Sequence, residues 1–184
     1  KEAPRFVRGK GQYVDDIQLP GMLHAVIGRS PHAHARILAT RTADAAALPG
    51  VEYVLTASDV VTATEPFSAG RYASGVRVHV PEYGMANGKV RYVGEPVSAI
   101  AALDLVTAED GLRLVETDYE QLGAVASIDA ALREDAPLLY EELGTNVVWT
   151  GKLEYGDIAG AFREADTIVE GRVAIHRYSS TPLE

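Results

Sequence analysis

The chain has 184 residues, of which 47% are hydrophobic and 23% charged, which excludes a collagen, a coiled coil and a wholly disordered tail. Seventeen Lys and Arg against 26 Asp and Glu give a formal charge of -9; an acidic surface without a basic cluster repels phosphate backbones and argues against nucleic-acid partners. There is no cysteine, so disulfides, thiolate nucleophiles, iron–sulfur ligation and cysteine zinc sites are absent from this chain.

No apolar run approaches the roughly 20 residues that cross a bilayer. The opening Lys-Glu-Ala-Pro-Arg-Phe-Val-Arg lacks the apolar stretch of a secretory signal, so the default expectation is a cytoplasmic protein without membrane partners. A chain of this length buries about 70% of its unfolded surface, enough for one good core or two small ones.

Asp15-Asp16 and Pro20-Gly21 bracket a short segment with turn chemistry on both sides. Residues 22–29 read as a strand, with Leu23, Ala25 and Ile27 on one face by period-2 alternation. A second strand spans 35–40. Thr42 to Leu48 reads as a short alanine-rich helix that Thr42 can cap and Pro49-Gly50 stops. Residues 51–56 follow as a strand, and 62–88 as a long loop with one short strand at 76–80.

Val97 to Ala102 is apolar on both faces and reads as a central strand. Thr107-Ala108-Glu109-Asp110 resembles a capping box, and Ala108, Leu112 and Val115 follow at helical spacing, giving a helix over 108–116. A strand over 117–120 leaves it. The stretch from 123 to 149 breaks up into a short helix at 129–132 and acidic connecting chain. Asp157 then caps a helix whose face is Ile158, Ala161, Phe162 and Ala165. Residues 166–176 read as a strand with Thr167, Val169, Val173 and Ile175 on one face, and the chain looks cut after it. The elements make an α+β protein.

The chemistry-bearing residues form no convincing active site. His32 and His34 could share a strand face, but no Asp or Glu lies between Gln18 and Arg36, so capping or core hydrogen bonding is the expected role rather than a metal. Gly9-Lys10-Gly11 follows no strand and opens no helix, unlike a phosphate loop. Asp15-Asp16 and Glu109-Asp110 read as turn and cap residues, and Glu141-Glu142 as solvated surface. Ser179-Ser180 precede no base that could activate a nucleophile. Glu95, beside Pro96 at the mouth of the central strand, is expected to hydrogen-bond loop to strand. No catalytic, cofactor-binding or metal residue is assigned.

Several segments nevertheless resemble one family when read together. They are Gly9-Lys10-Gly11-Gln12-Tyr13-Val14-Asp15-Asp16-Ile17, Leu19-Pro20-Gly21-Met22-Leu23-His24-Ala25, and Arg29-Ser30-Pro31-His32-Ala33-His34-Ala35-Arg36-Ile37. Leu48-Pro49-Gly50-Val51, Lys89-Val90-Arg91-Tyr92-Val93-Gly94-Glu95-Pro96-Val97 and Val115-Glu116-Thr117-Asp118-Tyr119-Glu120 continue the series. This resembles the N-terminal part of the large subunit of molybdenum hydroxylases: the xanthine dehydrogenase, aldehyde oxidase and aerobic carbon-monoxide dehydrogenase group. The resemblance implies an α/β-hammerhead domain over residues 1–125, a connecting segment over 126–149, and the truncated start of a molybdopterin-binding domain over 150–184.

It also implies what the complete protein does. Such a subunit carries molybdopterin-bound molybdenum and oxidises a carbon centre (an aldehyde, an N-heterocycle or CO) with water as the oxygen source. Iron–sulfur clusters and FAD on partner subunits or domains receive the electrons. The family's cofactor-binding residues and catalytic glutamate lie beyond residue 184, so this segment is expected to be inactive scaffold without a cofactor of its own; Glu184 is not that base. Its implied partners are the remainder of the large subunit and the iron–sulfur and flavin subunits, with a homodimer through the C-terminal segment as a further possibility. Leu122-Gly123 replaces a usual Leu-Pro, and Gly111 a usual Ala. The Met22-Leu23 segment and the Pro182-Leu183-Glu184 ending lean toward the bacterial three-subunit type. The alternative is a stand-alone, non-catalytic binding module of the same fold.

Overall fold

Pro96–Ala102 is the strand around which the rest is organised. Ser98, Ile100 and Ala102 on one of its faces are fully buried, and burying Ile100 alone contributes about 1.5–3 kcal/mol. A computed structural model of the chain describes residues 3–67, 80–148, 150 and 155–175. Its elements in order are α1 (Ala3–Val7), a 3-10 turn (Val14–Asp16), β1 (His24–Arg29), β2 (Ala35–Arg41), α2 (Ala43–Ala47), β3 (Val51–Thr56), α3 (Ala57–Ala63), β4 (Lys89–Val90), β5 (Pro96–Ala102), α4 (Leu105–Arg113), β6 (Glu116–Gln121), α5 (Ile128–Ala131), a second 3-10 turn (Glu141–Leu143) and α6 (Ile158–Glu164). The chain divides into two units, Met22–Gly151 and the paired stretches Lys1–Gly21 with Lys152–Glu184.

The larger unit holds two antiparallel three-stranded sheets, ordered β1-β5-β3 and β4-β2-β6. The strand–helix–strand reading of 35–56 therefore joins different sheets: α2 carries the chain from β2 in the second sheet to β3 in the first. In the first sheet, Val26, Ile100 and Val54 lie opposite one another and pack with Val51, Ala45, Ala108, Leu112 and Val115. A separate small core of Ala35, Ala86, Val90 and Val97 packs with Ile37 and Tyr119.

Two glycines allow α4 to lie close on the sheet. A Cβ at Gly111 would sit 3.1 Å from Val51 and 3.2 Å from Ile100, so the helix interior sacrifices propensity for approach. At Gly28 a Cβ would meet Ser98 Oγ at 2.3 Å and Leu112 at 2.9 Å. Gly28 also decides which face of β1 is covered. The face turned inward carries Val26 and Gly28, while Ala25 and Ile27 are exposed. Alternation identifies two faces but not which is covered, and the missing side chain at Gly28 is what admits the helix.

Helix starts differ from expectation for a similar reason. α4 begins three residues before 108, because Asp104 and not Thr107 is the cap: its carboxylate accepts from the Thr107 amide at 2.8 Å. Thr42 occupies the position before α2, but its side chain caps nothing. α3 was not anticipated, although Thr56-Ala57-Ser58-Asp59 carries its signal: Asp59 accepts from the Thr56 amide at 2.7 Å in a reciprocal capping box.

α5 and α6 fall where expected, capped by Ser127 and Asp157 at 3.1 and 2.8 Å. Residues 166–175 form no ladder with any described residue, so the strand expected there is not present as paired structure. Val169, Val173 and Ile175 are 79–88% exposed. The strand expected at 76–80 falls almost wholly outside the described residues, as do Ser179, Ser180 and Glu184.

Candidate functional site

The turn between β4 and β5 gathers more polar chemistry than any other described part of the larger unit. Gly94 has φ +90°, a conformation that favours glycine, and lets the chain double back before Pro96. The turn is tied to the end of β1: the Gly94 amide donates to Ser30 O (2.8 Å), the Ser30 amide to Glu95 O (2.9 Å), and Arg29 Nη1 to Gly94 O (2.8 Å). The Glu95 carboxylate accepts from the Arg91 amide at 2.5 Å. Burial raises this carboxyl above the ordinary range, and the Arg91 amide and charge oppose that rise. Glu95 thus fastens loop to strand, the role its sequence position suggested.

A strap over 122–146 closes on the same turn. Arg91 Nε donates to Leu139 O at 3.1 Å, and its guanidinium lies 4.0 Å over the Tyr140 ring. Lys89, 8% exposed, donates to Glu141 at 2.5 Å. Glu141 is therefore an ion-pair partner and not merely solvated surface, because β4 brings up a buried ammonium that needs an anion. The pair holds the Glu141 carboxyl below its ordinary value.

His34 joins β2 to the start of the strap. It is 3% exposed, and its Nδ1 lies 2.6 Å from Gly123 O. A carbonyl only accepts, so Nδ1 carries a proton in this bond, while Nε2 has no hydrogen-bond partner. Asn146 fixes the far end, accepting from the Leu139 amide (3.1 Å) and donating to Ala131 O and Pro137 O (3.2 and 3.0 Å).

A cleft of about 300 Å³ lies among Gly28, Arg29, Val97 and Ser98 of the first sheet, Leu112 and Val115 at α4, and Thr117 and Tyr119 of β6. Burial pushes the Tyr119 phenol above its ordinary 10, an effect that hydrogen bonds with Thr117 and Ser30 oppose. The His32 ring meets Tyr119 edge-on at 4.9 Å. The lining holds no carboxylate; its polar side chains are Arg29, Ser98, Thr117 and Tyr119.

The other sequence candidates are dispersed. His32 and His34 serve different contacts, one on Tyr119 and one on Gly123. Asp16 accepts from the Tyr13 amide at 2.9 Å, within its own turn. Glu109 and Asp110 do not cap α4; they lie in its interior and face Arg113. Gly9-Lys10-Gly11 follows α1 and leads to the first 3-10 turn. Among the described residues no three His, Asp or Glu side chains converge as metal ligands. Among the described residues, His34 Nε2 is the one buried side-chain atom without a hydrogen-bond partner. Such a donor set does not fit a molybdenum cofactor, and no reaction step is assigned to these residues.

Comparison with known proteins places this arrangement of sheets in a family. Residues 8–123, more than half the chain, match the family described as the aldehyde oxidase and xanthine dehydrogenase a/b hammerhead domain. The chain belongs to that family. Its relatives include the carbon monoxide dehydrogenase large chain of Afipia carboxidovorans, 36% identical over 98% of this chain and 23% of the relative. The nicotine 6-hydroxylase large subunit of Paenarthrobacter nicotinovorans is 33% identical over 100% of this chain and 22% of its own. Among solved structures, quinoline 2-oxidoreductase from Pseudomonas putida 86 matches with a TM-score of 0.80 at 38% identity, over 93% of this chain and 22% of that one. The chain thus corresponds to a segment spanning about a fifth of these oxidoreductase large subunits. No helix among the described residues is long and apolar enough to cross a membrane.

Proposed function

We propose that this chain is the scaffold segment of the large subunit of a molybdenum hydroxylase, a complex that oxidises a carbon centre with water as the oxygen source. Residues 1–125 form the hammerhead domain, 126–149 connect it onward, and 150–184 open the domain that holds molybdopterin-bound molybdenum. The complete subunit works in the cytoplasm with iron–sulfur and FAD partners, and the C-terminal segment offers a route to a homodimer. The observation that carries this reading is a full-length match to relatives that are four to five times longer, at 33–38% identity.

The test is the molybdenum content and intact mass of the native protein. Molybdenum in a chain several times longer than 184 residues, reducing an acceptor when given an aldehyde, an N-heterocycle or CO, is the expected result. A metal-free native chain of 184 residues overturns the proposal and leaves a binding module of hammerhead fold. Fractionation that recovers the complex outside the cytoplasm overturns its location.

A further inference from the structure

Within the larger unit, α4 covers one face of the first sheet, and among its described residues the other face carries exposed apolar side chains. Ladder pairing sets Ile27, Ala99 and Leu55 in one row across that outer face, and Ala25, Ala101 and Tyr53 in the next. Ile27 is 46% exposed, Tyr53 61% and Leu55 41%, and none of the six carries a charge. The two alanines of β5 make a shallow floor, with Ile27 of β1 on one side and Tyr53 and Leu55 of β3 on the other. An apolar face of this kind on a central sheet is normally covered.

We propose that this outer face is the seat of an apolar element from the remainder of the same large subunit, an inference that rests on the function proposed above. Composition decides between an occupant in the same chain and one in another. Interfaces between separate chains are depleted in alanine and enriched in arginine, whereas alanine is among the residues most often buried within a domain. Three of the six positions are alanine and none is arginine. The relatives supply the occupant's source, since about four-fifths of each lies outside the matched segment. Covalent connection keeps such an element at high effective concentration, so a face of two rows suffices. The exposed ladder on β2 and β6, where Arg36 pairs with Glu120 and Arg41 with Glu116 and Asp118, is charged and suits solvent instead.

The test uses the complete native subunit carrying Leu55→benzoylphenylalanine, photolysed and mapped by mass spectrometry. Wild-type Tyr53 is iodinated in parallel, in the native protein and in guanidinium. The expected result is a cross-link within one polypeptide, to a peptide outside residues 1–184, with Tyr53 protected at least about tenfold on folding. A cross-link to a second copy or to another subunit overturns the proposal. So does a native Tyr53 that reacts as fast as the denatured one, a readout that stands even where the substituted subunit fails to fold. A molybdenum-containing long chain with any of these outcomes sinks the docking proposal alone. A native chain of 184 residues sinks the functional reading as well, and its mass identifies that case.

Discussion

Gly28 shows how much one missing side chain decides. Its Cα hydrogen faces Ser98 and Leu112, where a methyl group would overlap both. Gly28→Ala is expected to cost about 1–3 kcal/mol, the usual range for overpacking a filled core. Adding Ser98→Ala removes the oxygen at 2.3 Å and leaves a Cβ at 3.6 Å, an ordinary contact, so the double variant recovers part of the loss. Urea denaturation of the four-member set measures the coupling. Strict additivity would show that the close approach is not what Gly28 provides.

Lys89 and Glu141 make a second residue-scale prediction, on pH. Glu141 has its carboxyl lowered below the ordinary 4.5, first by the hydrogen bond from Lys89. A lowered carboxylate contributes stability that is complete above the unfolded value and is lost as pH falls through the folded one. The stability advantage of wild type over Lys89→Met should therefore be constant from about pH 7 to 5 and shrink below about 4.5. The Glu141 side chain is 62% open to solvent, so the effect is small. An advantage that grows on acidification contradicts the pairing.

At the scale of elements, sequence patterns located strands better than helix starts. β5, uniformly apolar, could be read directly, and so could β2, β3 and β6, because their composition and bounding turns are local. The start of α4 was misplaced because Thr107 and Asp104 both look like caps, and only Asp104 accepts the amide of the first turn. Asp104→Ala should lower Tm by a few degrees, while Asp104→Asn, which can still accept from Thr107, should lower it less. Thr107→Val removes only the hydroxyl contact to Asp104 and leaves the cap's backbone bond, so it should sit between them. Equal losses for Ala and Asn at position 104, followed by thermal denaturation, would show that charge and not hydrogen bonding is what the cap supplies.

The polar strap was the least visible feature beforehand. Arg91, Tyr140 and Asn146 come together from segments about 50 residues apart or close a loop through backbone carbonyls, and neither arrangement leaves a periodic mark. Glu95 was found because its neighbours are local. Glu141 reads as surface in the sequence because its partner lies 52 residues away. Contacts made by topology are what a single sequence hides, whereas caps, turns and alternation lie within a few residues.

For the whole molecule, the contrast between β5 and residues 166–175 is the most informative. β5 is hydrogen-bonded on both sides, and its inner face is fully buried, so opening its amides requires disrupting the first sheet. Residues 166–175 have strand-like composition but no ladder, and the apolar side chains Val169, Val173 and Ile175 face solvent. A segment outside any ladder lacks the inter-strand bonding that makes a strand stable. In the isolated 184-residue chain, amide exchange over 166–175 should run within about tenfold of the unstructured rate, while β5 amides exchange with the slowest class of the molecule. Concentration matters to this test, because bare apolar chain can pair with a second copy. Protection of 166–175 that rises with protein concentration, alongside a sedimentation coefficient that rises with it, would mean the segment finds its partner in another molecule. Slow exchange there in a verified monomer would mean that the segment holds structure within one chain, and the argument from missing pairing would fail.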